Sequence, residues 1–137
     1  MQNQQVLITG ANRGLGLEFT KQYAADGWQV LACCRHPQSA MALQALAGAH
    51  SNIKILALDV ADFAQIDALA LQLKAENIDV LINNAGVYPA SSFGDTNYDD
   101  WAQGFKINSM APLKMTEAFV QHVSRSQLKK IDRKSVV

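Results

Sequence analysis

Short apolar runs alternate with longer helical segments along this 137-residue sequence, and this alternation limits the folds open to it. The apolar runs predict strands at residues 6–9, 30–34, 53–58 and 79–82. Between them, apolar side chains recur at helical spacing at residues 15–26, 37–47 and 63–76. Strands that alternate with helices form βαβ units, whose parallel sheet is covered on both faces. The sequence therefore predicts an α/β fold with a doubly wound parallel sheet.

The last third of the chain has a different pattern. Residues 97–122 predict a long helical region in which Pro112 introduces a kink or a break. Residues 125–134 are polar and basic, and residues 135–137 predict the start of a further strand. We therefore expect residues 1–137 to form a single domain of about four to five strands, incomplete at its C-terminus.

Three glycines, Gly10, Gly14 and Gly16, lie where the first strand meets the first helix. A helix N-terminus offers free N–H groups and a partial positive charge, which suit a pyrophosphate. By analogy with the dinucleotide fingerprint of Rossmann-type sheets, Gly10 permits the turn, Gly14 allows close approach and Gly16 lets helix and strand pack closely. A purely structural turn is the alternative interpretation.

The charges near this loop favour NADP over NAD. NAD-binding sheets place an acid about 20 residues after the glycines, but no Asp or Glu occurs between Asp26 and Asp59. Instead, Arg35 follows the second strand and Arg13 lies inside the glycine loop. Guanidinium groups bind phosphate oxygens bidentately, so this pair suits a 2′-phosphate. A solvated surface charge is the alternative for each arginine alone.

Composition indicates which partners and which cellular compartment to expect. The net charge is +0, so we expect neither nucleic acid nor an anionic membrane surface as a partner. Cys33 and Cys34 are adjacent, and neighbours on a strand point to opposite faces, which excludes an ordinary disulfide or a metal pair between them. We expect no metal site, and free thiols without an export signal favour a cytoplasmic protein.

Four sequence blocks resemble the short-chain dehydrogenase/reductase family, especially its carbonyl-reductase and C-factor-like members. They are "TGANRGLG" at residues 9–16, Asp59-Val60, "NNAG" at residues 83–86, and Asn108 in "FKINSMAP". Such proteins are NAD(P)-dependent oxidoreductases, so the resemblance implies hydride transfer to or from a carbonyl or alcohol substrate. NADP(H) is the expected cofactor.

The resemblance also implies site residues. The phosphate loop comprises Gly10, Asn12, Arg13, Gly14, Leu15 and Gly16, and Arg35 joins Arg13 at the 2′-phosphate. The adenine and the nicotinamide-side ribose are expected to contact Asp59, Val60, Ala85 and Gly86, with Asn83 bracing the central strands. Asn108 is implied as a catalytic residue that holds a water. The blander alternatives are a turn role for Asp59, for Asn83 and for Asn84, and a helix irregularity at Asn108.

The sequence departs from the family at the catalytic Ser, Tyr and Lys. Family members use a Tyr followed four residues later by Lys, but Tyr23, Tyr88 and Tyr98 are followed at that spacing by Gly, Ser and Ala. We therefore expect one of three things: the cofactor-binding part of an oxidoreductase, a non-catalytic NADP(H)-binding module, or an inactive truncated product.

An incomplete sheet has consequences for association. We expect the fourth strand to have an uncovered edge and the long helical region to have apolar positions without partners, with Met115, Phe119 and Val123 among them. The chain is therefore expected to be marginally stable or to self-associate through the long helix or the exposed sheet edge.

Overall fold

Five parallel strands form one sheet in the computed structural model, which describes residues 3–134. The strands are β1 (Gln5–Ile8), β2 (Gln29–Cys34), β3 (Ile53–Ala57), β4 (Val80–Asn83) and β5 (Lys130–Arg133). The helices are α1 (Gly14–Ala25), α2 (Met41–Ala49), α3 (Phe63–Gln72), α4 (Tyr98–Phe105) and α5 (Ala111–Ser124). The predicted doubly wound α/β fold is confirmed.

The strand order is β3-β2-β1-β4-β5. The chain runs outward from β1 to β3 and then returns to pair β4 with the other side of β1, with Leu7 opposite Leu81. The order of strands therefore reverses between β1 and β4. Ligands of open α/β sheets bind at this kind of switch point, beyond the carboxyl ends of the strands.

Successive side chains of β1 point to opposite faces of the sheet and enter two separate cores. Leu7 packs into the core that includes Phe119 of α5, whereas Val6 and Ile8 pack into the core that includes Leu43 of α2. Both faces of the sheet are covered, and this burial explains why the first strands are continuously apolar.

One expectation about the long helix is wrong. Met115, Phe119 and Val123 have their partners, because they are buried in the core between α5, α3 and the sheet. The exposed apolar side chains of the region lie on its other face and include Trp101 and Leu113. Helical spacing alone did not show which of the two apolar faces meets the sheet.

The helical region continues through Pro112 rather than breaking there. A π-helical turn, Lys106–Met110, joins α4 to α5, and Pro112 lies in the first turn of α5. Proline has no N–H, so the usual α-helical donor to the carbonyl of Asn108 is missing. The wider turn directly before Pro112 is where the predicted irregularity occurs.

The last strand differs most from the prediction. β5 forms from the polar, basic residues 130–133, and it pairs with β4 from Val80↔Lys130 to Asn83↔Arg133. The expectation of an uncovered edge on β4 is therefore wrong, and the free edge belongs to β5. The strand predicted at residues 135–137 lies outside the described residues. Backbone pairing with β4 outweighs the unfavourable side-chain pattern, and charged side chains are common on edge strands.

Residues 37–47 do not form the single helix predicted. A 3₁₀ turn, Pro37–Ser39, comes first, and α2 begins only at Met41. Nowhere in residues 3–134 is there a helix with the length and apolar character needed to cross a membrane.

Candidate functional site

A cleft of about 380 Å³ lies at the carboxyl ends of the central strands. Its walls come from the glycine loop after β1, the turn after β2, the turn after β3 and the loop after β4. These are the connections that surround the switch point of the sheet. The predicted residues that line the cleft are Gly10, Asn12, Arg13, Gly14, Leu15, Arg35, Asp59, Val60, Ala85 and Gly86.

The glycine loop crosses the first residues after β4 with no room for side chains. Gly10 has φ of +62°, and a Cβ built on it would lie 2.9 Å from the Cα of Ala85. A Cβ on Gly16 would collide with the carbonyl oxygen of Gly10 and would lie 2.5 Å from Nδ2 of Asn84. Any side chain at Gly16 would push α1 away from the loop. The glycines thus fix the helix N-terminus at the edge of the cleft.

Thr9 and Asn84 join the two central strands beneath this loop. Oγ1 of Thr9 accepts from the backbone N–H of Asn84 at 3.0 Å and from that of Ala85 at 2.9 Å. In return, Nδ2 of Asn84 donates to the carbonyls of Thr9 and Gly10, at 3.1 Å each. Oδ1 of Asn84 is buried without a hydrogen-bond partner in the described part of the chain, although Asn84 lines the cleft.

Asn108 holds the loop after β4 from the π-helical turn. Its Oδ1 accepts from the N–H of Val87 at 2.9 Å, and its Nδ2 donates to the carbonyl of Val87 at 2.8 Å. This two-bond pairing resembles one rung of a β-ladder and fixes Gly86 and Val87 at the cleft wall. Asn108 does not itself line the cleft. Its side chain is a positioning group for that wall.

The cleft contains two arginines that form no salt bridge within residues 3–134. Arg35 follows β2, and Arg13 occupies the N-cap position of α1, where its side chain makes no capping hydrogen bond. Among residues 3–134 the salt bridge found is between Lys114 and Asp67, far from both arginines in the sequence. Guanidinium groups that are not held in salt bridges raise the local concentration of anions in a cleft.

Asp59 is the acidic residue of the cleft. Its Oδ1 accepts from the N–H of Ala61 at 2.9 Å, so one carboxylate oxygen shapes the turn that leads to α3. Its backbone N–H donates to Oε1 of Gln65 at 3.0 Å. Asp59 therefore shapes the turn and also lines the cleft.

The two cysteines are free and buried on β2. Burial raises the pKa of Cys33 to about 12. Burial also raises the pKa of Cys34, which lines the cleft, against an opposing effect of the His36 backbone N–H. Both thiols therefore stay protonated near neutral pH, and neither is an activated nucleophile.

Three predicted residues lie outside the cleft wall. Gly16 packs behind the loop, and Asn108 acts through Val87 as described. Asn83 turns towards β5, where its Nδ2 lies 3.4 Å from the carbonyl of Asp132.

Sequence reasoning missed several residues of the wall. Lys134 enters the cleft from the end of β5, with its Nζ 4.0 Å from a Cβ built on Gly86. No sequence signal could have placed it there, because β5 itself was not predicted. His36 and Ser39 line the wall next to Arg35, and only their proximity to Arg35 in the sequence could have indicated them. Outside the cleft, His122 is buried against Phe119.

The described residues contain no group of three or more His, Cys, Asp or Glu side chains that could hold a metal ion.

Comparison with known proteins assigns the family. A sequence model of the short chain dehydrogenases matches residues 4–131. The chain belongs to the short-chain dehydrogenase/reductase family. Among curated members of this oxidoreductase family, galactitol 2-dehydrogenase of Agrobacterium fabrum is 34% identical over 120 residues, which cover 86% of this chain and 46% of that protein.

Solved structures of short-chain dehydrogenases/reductases share the fold closely. A carbonyl reductase from chicken fatty liver, solved with NADPH bound, superposes with a TM-score of 0.82 at 36% identity. The match covers 91% of this chain and 53% of that one. A carbonyl reductase from Pseudomonas aeruginosa PAO1 in complex with NADP gives a TM-score of 0.81 at 33% identity, covering 87% and 56%. The chain thus spans about half the length of the relatives that it matches.

Proposed function

We propose that residues 1–137 form a single NAD(P)-binding domain that supplies the cofactor half of an NADP(H)-dependent oxidoreductase. The observation that carries this proposal is the convergence of the glycine loop, Arg13, Arg35 and Asp59 on one cleft at the switch point. NADP(H) supplies hydride transfer between its nicotinamide and a carbonyl or alcohol carbon when it is bound. Such a small-molecule substrate is the proposed reaction partner.

The residues present fit this cofactor. A Cβ built on Gly14 meets nothing within 4 Å, so the space beside the N-terminus of α1 is open to a pyrophosphate. Free N–H groups and the helix dipole would bind it there. Asn12, Leu15 and Gly16 complete the phosphate loop, while Val60, Ala85 and Gly86 form the opposite wall. The NADP-bound relatives support the same choice.

Arg35 and Arg13 carry the preference for NADP(H) over NAD(H). The position after β2 that suits an acid in NAD-binding sheets holds Arg35. A 2′-phosphate between two guanidinium groups gains charge-assisted hydrogen bonds that the free ribose hydroxyl does not offer.

Isothermal titration with NADPH and NADH tests this preference. We expect NADPH to bind more tightly, and Arg35→Ala to weaken NADPH binding by about 1.5–3 kcal/mol, the range for hydrogen bonds to charged groups. Lys54→Ala, which changes an exposed cation of β3, serves as the matched control. Equal affinities for the two nucleotides in the native chain would refute the preference.

Asn108 is proposed to support proton transfer through its backbone. Pro112 removes the usual α-helical donor to its carbonyl, which leaves that oxygen as an acceptor for water. Its side chain is already used by Val87. The proposed role is therefore to hold a water while its amide fixes the loop after β4, and Asn83 is proposed to brace the strands from the β5 side.

A non-catalytic NADP(H)-binding module is the second candidate. Tyr23, Tyr88 and Tyr98 do not line the cleft, and none is followed by Lys at the family spacing. Incubation with NADPH and simple aldehydes or quinones tests the module. Turnover by the chain alone would contradict the module, whereas NADPH binding without turnover favours it.

We also propose self-association through the aromatic face of α4, defined as Tyr98, Trp101 and Phe105. Their rings follow one another at 6.0 and 5.9 Å, and the side chains are 69%, 50% and 53% exposed. An exposed aromatic row of this kind is typical of a protein–protein interface.

Sedimentation velocity tests the aromatic face. We expect Trp101→Gln to shift the native chain towards the 14.9 kDa monomer. Leu71→Gln, which removes an isolated exposed leucine on α3, should leave the distribution unchanged. A monodisperse native monomer would contradict the proposal.

A further inference from the structure

We infer that His36 is a pH-dependent specificity residue of the proposed NADP(H) site. The inference rests on the proposed function, because it assigns an additional group to the 2′-phosphate side of the same cleft. His36 follows Arg35 directly and lines the cleft with it. Arginine is always charged, whereas histidine changes charge between about pH 5 and 8. His36 can therefore add a positive charge to the site when the pH falls.

The backbone that carries His36 is held firmly. The carbonyl of Cys34 accepts from the N–H of Leu58 at 2.9 Å, which fixes the end of β2 beside β3. The carbonyl of His36 accepts from the N–H of Ser39 at 3.1 Å and from its Oγ at 3.2 Å. Pro37 has a φ fixed by its own ring, and it restricts the backbone of His36 directly before it. The imidazole therefore starts from a defined place at the cleft wall.

Ser39 holds the backbone of His36 in place. Its hydroxyl proton is already donated to the carbonyl of His36. It therefore has no proton left for a phosphate in this arrangement. Of the polar residues on this wall, Arg35 and His36 are the ones that can donate to an anion.

The charges that face His36 favour anion binding. The cations that line the same cleft are Arg35, directly before His36 in the sequence, Arg13 at the start of α1, and, three strands away from β2, Lys134 after β5. Asp59 is the carboxylate, and the protonated thiol of Cys34 is neutral. The salt bridge found in residues 3–134 joins Lys114 and Asp67, so none of these cations is in a salt bridge in the described part of the chain.

A bound 2′-phosphate would change the protonation of His36. A nearby dianion favours the charged imidazole, so the complex should take up a fraction of a proton when NADP⁺ binds near pH 7. A phosphate monoester itself titrates near pH 6, with the opposite effect on proton uptake when guanidinium groups bind it. NAD⁺ lacks the phosphate and should cause neither change. A difference between the native chain and a His36 variant isolates the histidine.

The test is titration calorimetry of NADP⁺ in buffers with different ionisation enthalpies, with native chain, His36→Gln and His50→Gln. His50 follows α2 and does not line the cleft, so it is the matched control. We expect the native chain to bind more protons per NADP⁺ than His36→Gln, and His50→Gln to match the native chain. From pH 8 to pH 6, native affinity should gain about two- to fivefold over His36→Gln, the range for an exposed ion pair.

Two results would overturn the inference. Equal proton numbers for the native chain and His36→Gln would show that the imidazole does not contact the phosphate. A loss of the same size for NAD⁺ would show that His36 acts on the fold of the site and not on the 2′-phosphate. Failure of the native chain to bind NADP⁺ at any pH would overturn the proposed function as well, which distinguishes the two failures.

Discussion

At the scale of single residues, Gly16 determines whether the loop and α1 can pack together. A methyl group there would collide with the carbonyl of Gly10, which is backbone and cannot move aside alone. We expect Gly16→Ala to lower the free energy of unfolding by about 1–3 kcal/mol, the cost of overpacking, and to weaken NADPH binding. Urea unfolding measures the first effect and calorimetry the second.

Gly48 provides the control for this prediction. It lies in α2, and a Cβ built on it meets nothing within 4 Å. Gly48→Ala should therefore raise stability by about 0.5–1 kcal/mol, because alanine favours the helix. If both variants lost the same stability, the collision at Gly16 would not be the cause.

Thr9 is the second residue on which the site depends. Its hydroxyl accepts two backbone N–H groups after β4, and both are buried or half-buried. Thr9→Val keeps the shape but leaves these donors unpaired, so we expect a loss of about 1–3 kcal/mol in the free energy of unfolding. Thr116→Val removes a hydroxyl that only donates to the carbonyl of Pro112, and it should cost less. Equal losses in urea unfolding would refute the special role of Thr9.

The cysteines give a pH dependence whose sign follows from burial. The pKa of Cys33 is raised to about 12, above the ordinary thiol pKa in the unfolded chain. The folded state therefore holds its proton more tightly, and this stabilisation is complete below about pH 8.5 and declines as the pH rises towards 12. We expect alkaline loss of stability, and no reaction of either thiol with a disulfide reagent at pH 8 before unfolding. Rapid labelling of the folded chain would contradict the buried position.

At the scale of elements, β5 depends on Asp79 for its attachment. One carboxylate oxygen of Asp79 accepts from the N–H groups of Gln127 and Leu128 at 3.3 and 3.4 Å. The other accepts from the N–H of Gln5 at 3.0 Å, and its backbone carbonyl accepts from Lys130. This single side chain ties the turn before β5 to β1 and β4.

Asp79→Ala should therefore detach β5 before the rest of the sheet unfolds. We expect a loss of about 1.5–3 kcal/mol, and hydrogen exchange that speeds up first at residues 130–133. Asp67→Ala, which breaks the more exposed ion pair with Lys114, should cost no more than about 1 kcal/mol. Unchanged protection of β5 in Asp79→Ala would contradict this assignment.

Some of the elements could be predicted from the sequence, and others could not. The strands β1, β2 and β4 were predictable because burial on both faces requires continuous apolar runs, as in residues 30–34. β5 was not, because all four of its residues are exposed and its conformation comes from backbone pairing with β4. Pro112 indicated an irregularity in the long helical region, but helical periodicity holds no signal for the π-helical turn that forms there.

At the scale of the whole molecule, the candidate site was largely predictable because its residues lie in loops at the carboxyl ends of neighbouring parallel strands. Gly10, Arg35 and Asp59 follow three different strands, and the sheet brings them into one cleft without further information. Lys134 and the orphaned Oδ1 of Asn84 became visible only in three dimensions. That the aromatic face of α4 is exposed could also be seen only in the packed structure.

The central claim is that this cleft binds NADP(H) across the switch point of the sheet. Amide chemical shifts of ¹⁵N-labelled chain, recorded during titration with NADP⁺, test it most directly because they report position as well as affinity. We expect saturable shifts at Gly10, Gly14, Arg35 and Gly86, with little change at Asn77 or Gln127, which lie at the amino ends of the strands. Absence of saturable shifts, or shifts confined to the aromatic face of α4, would contradict it.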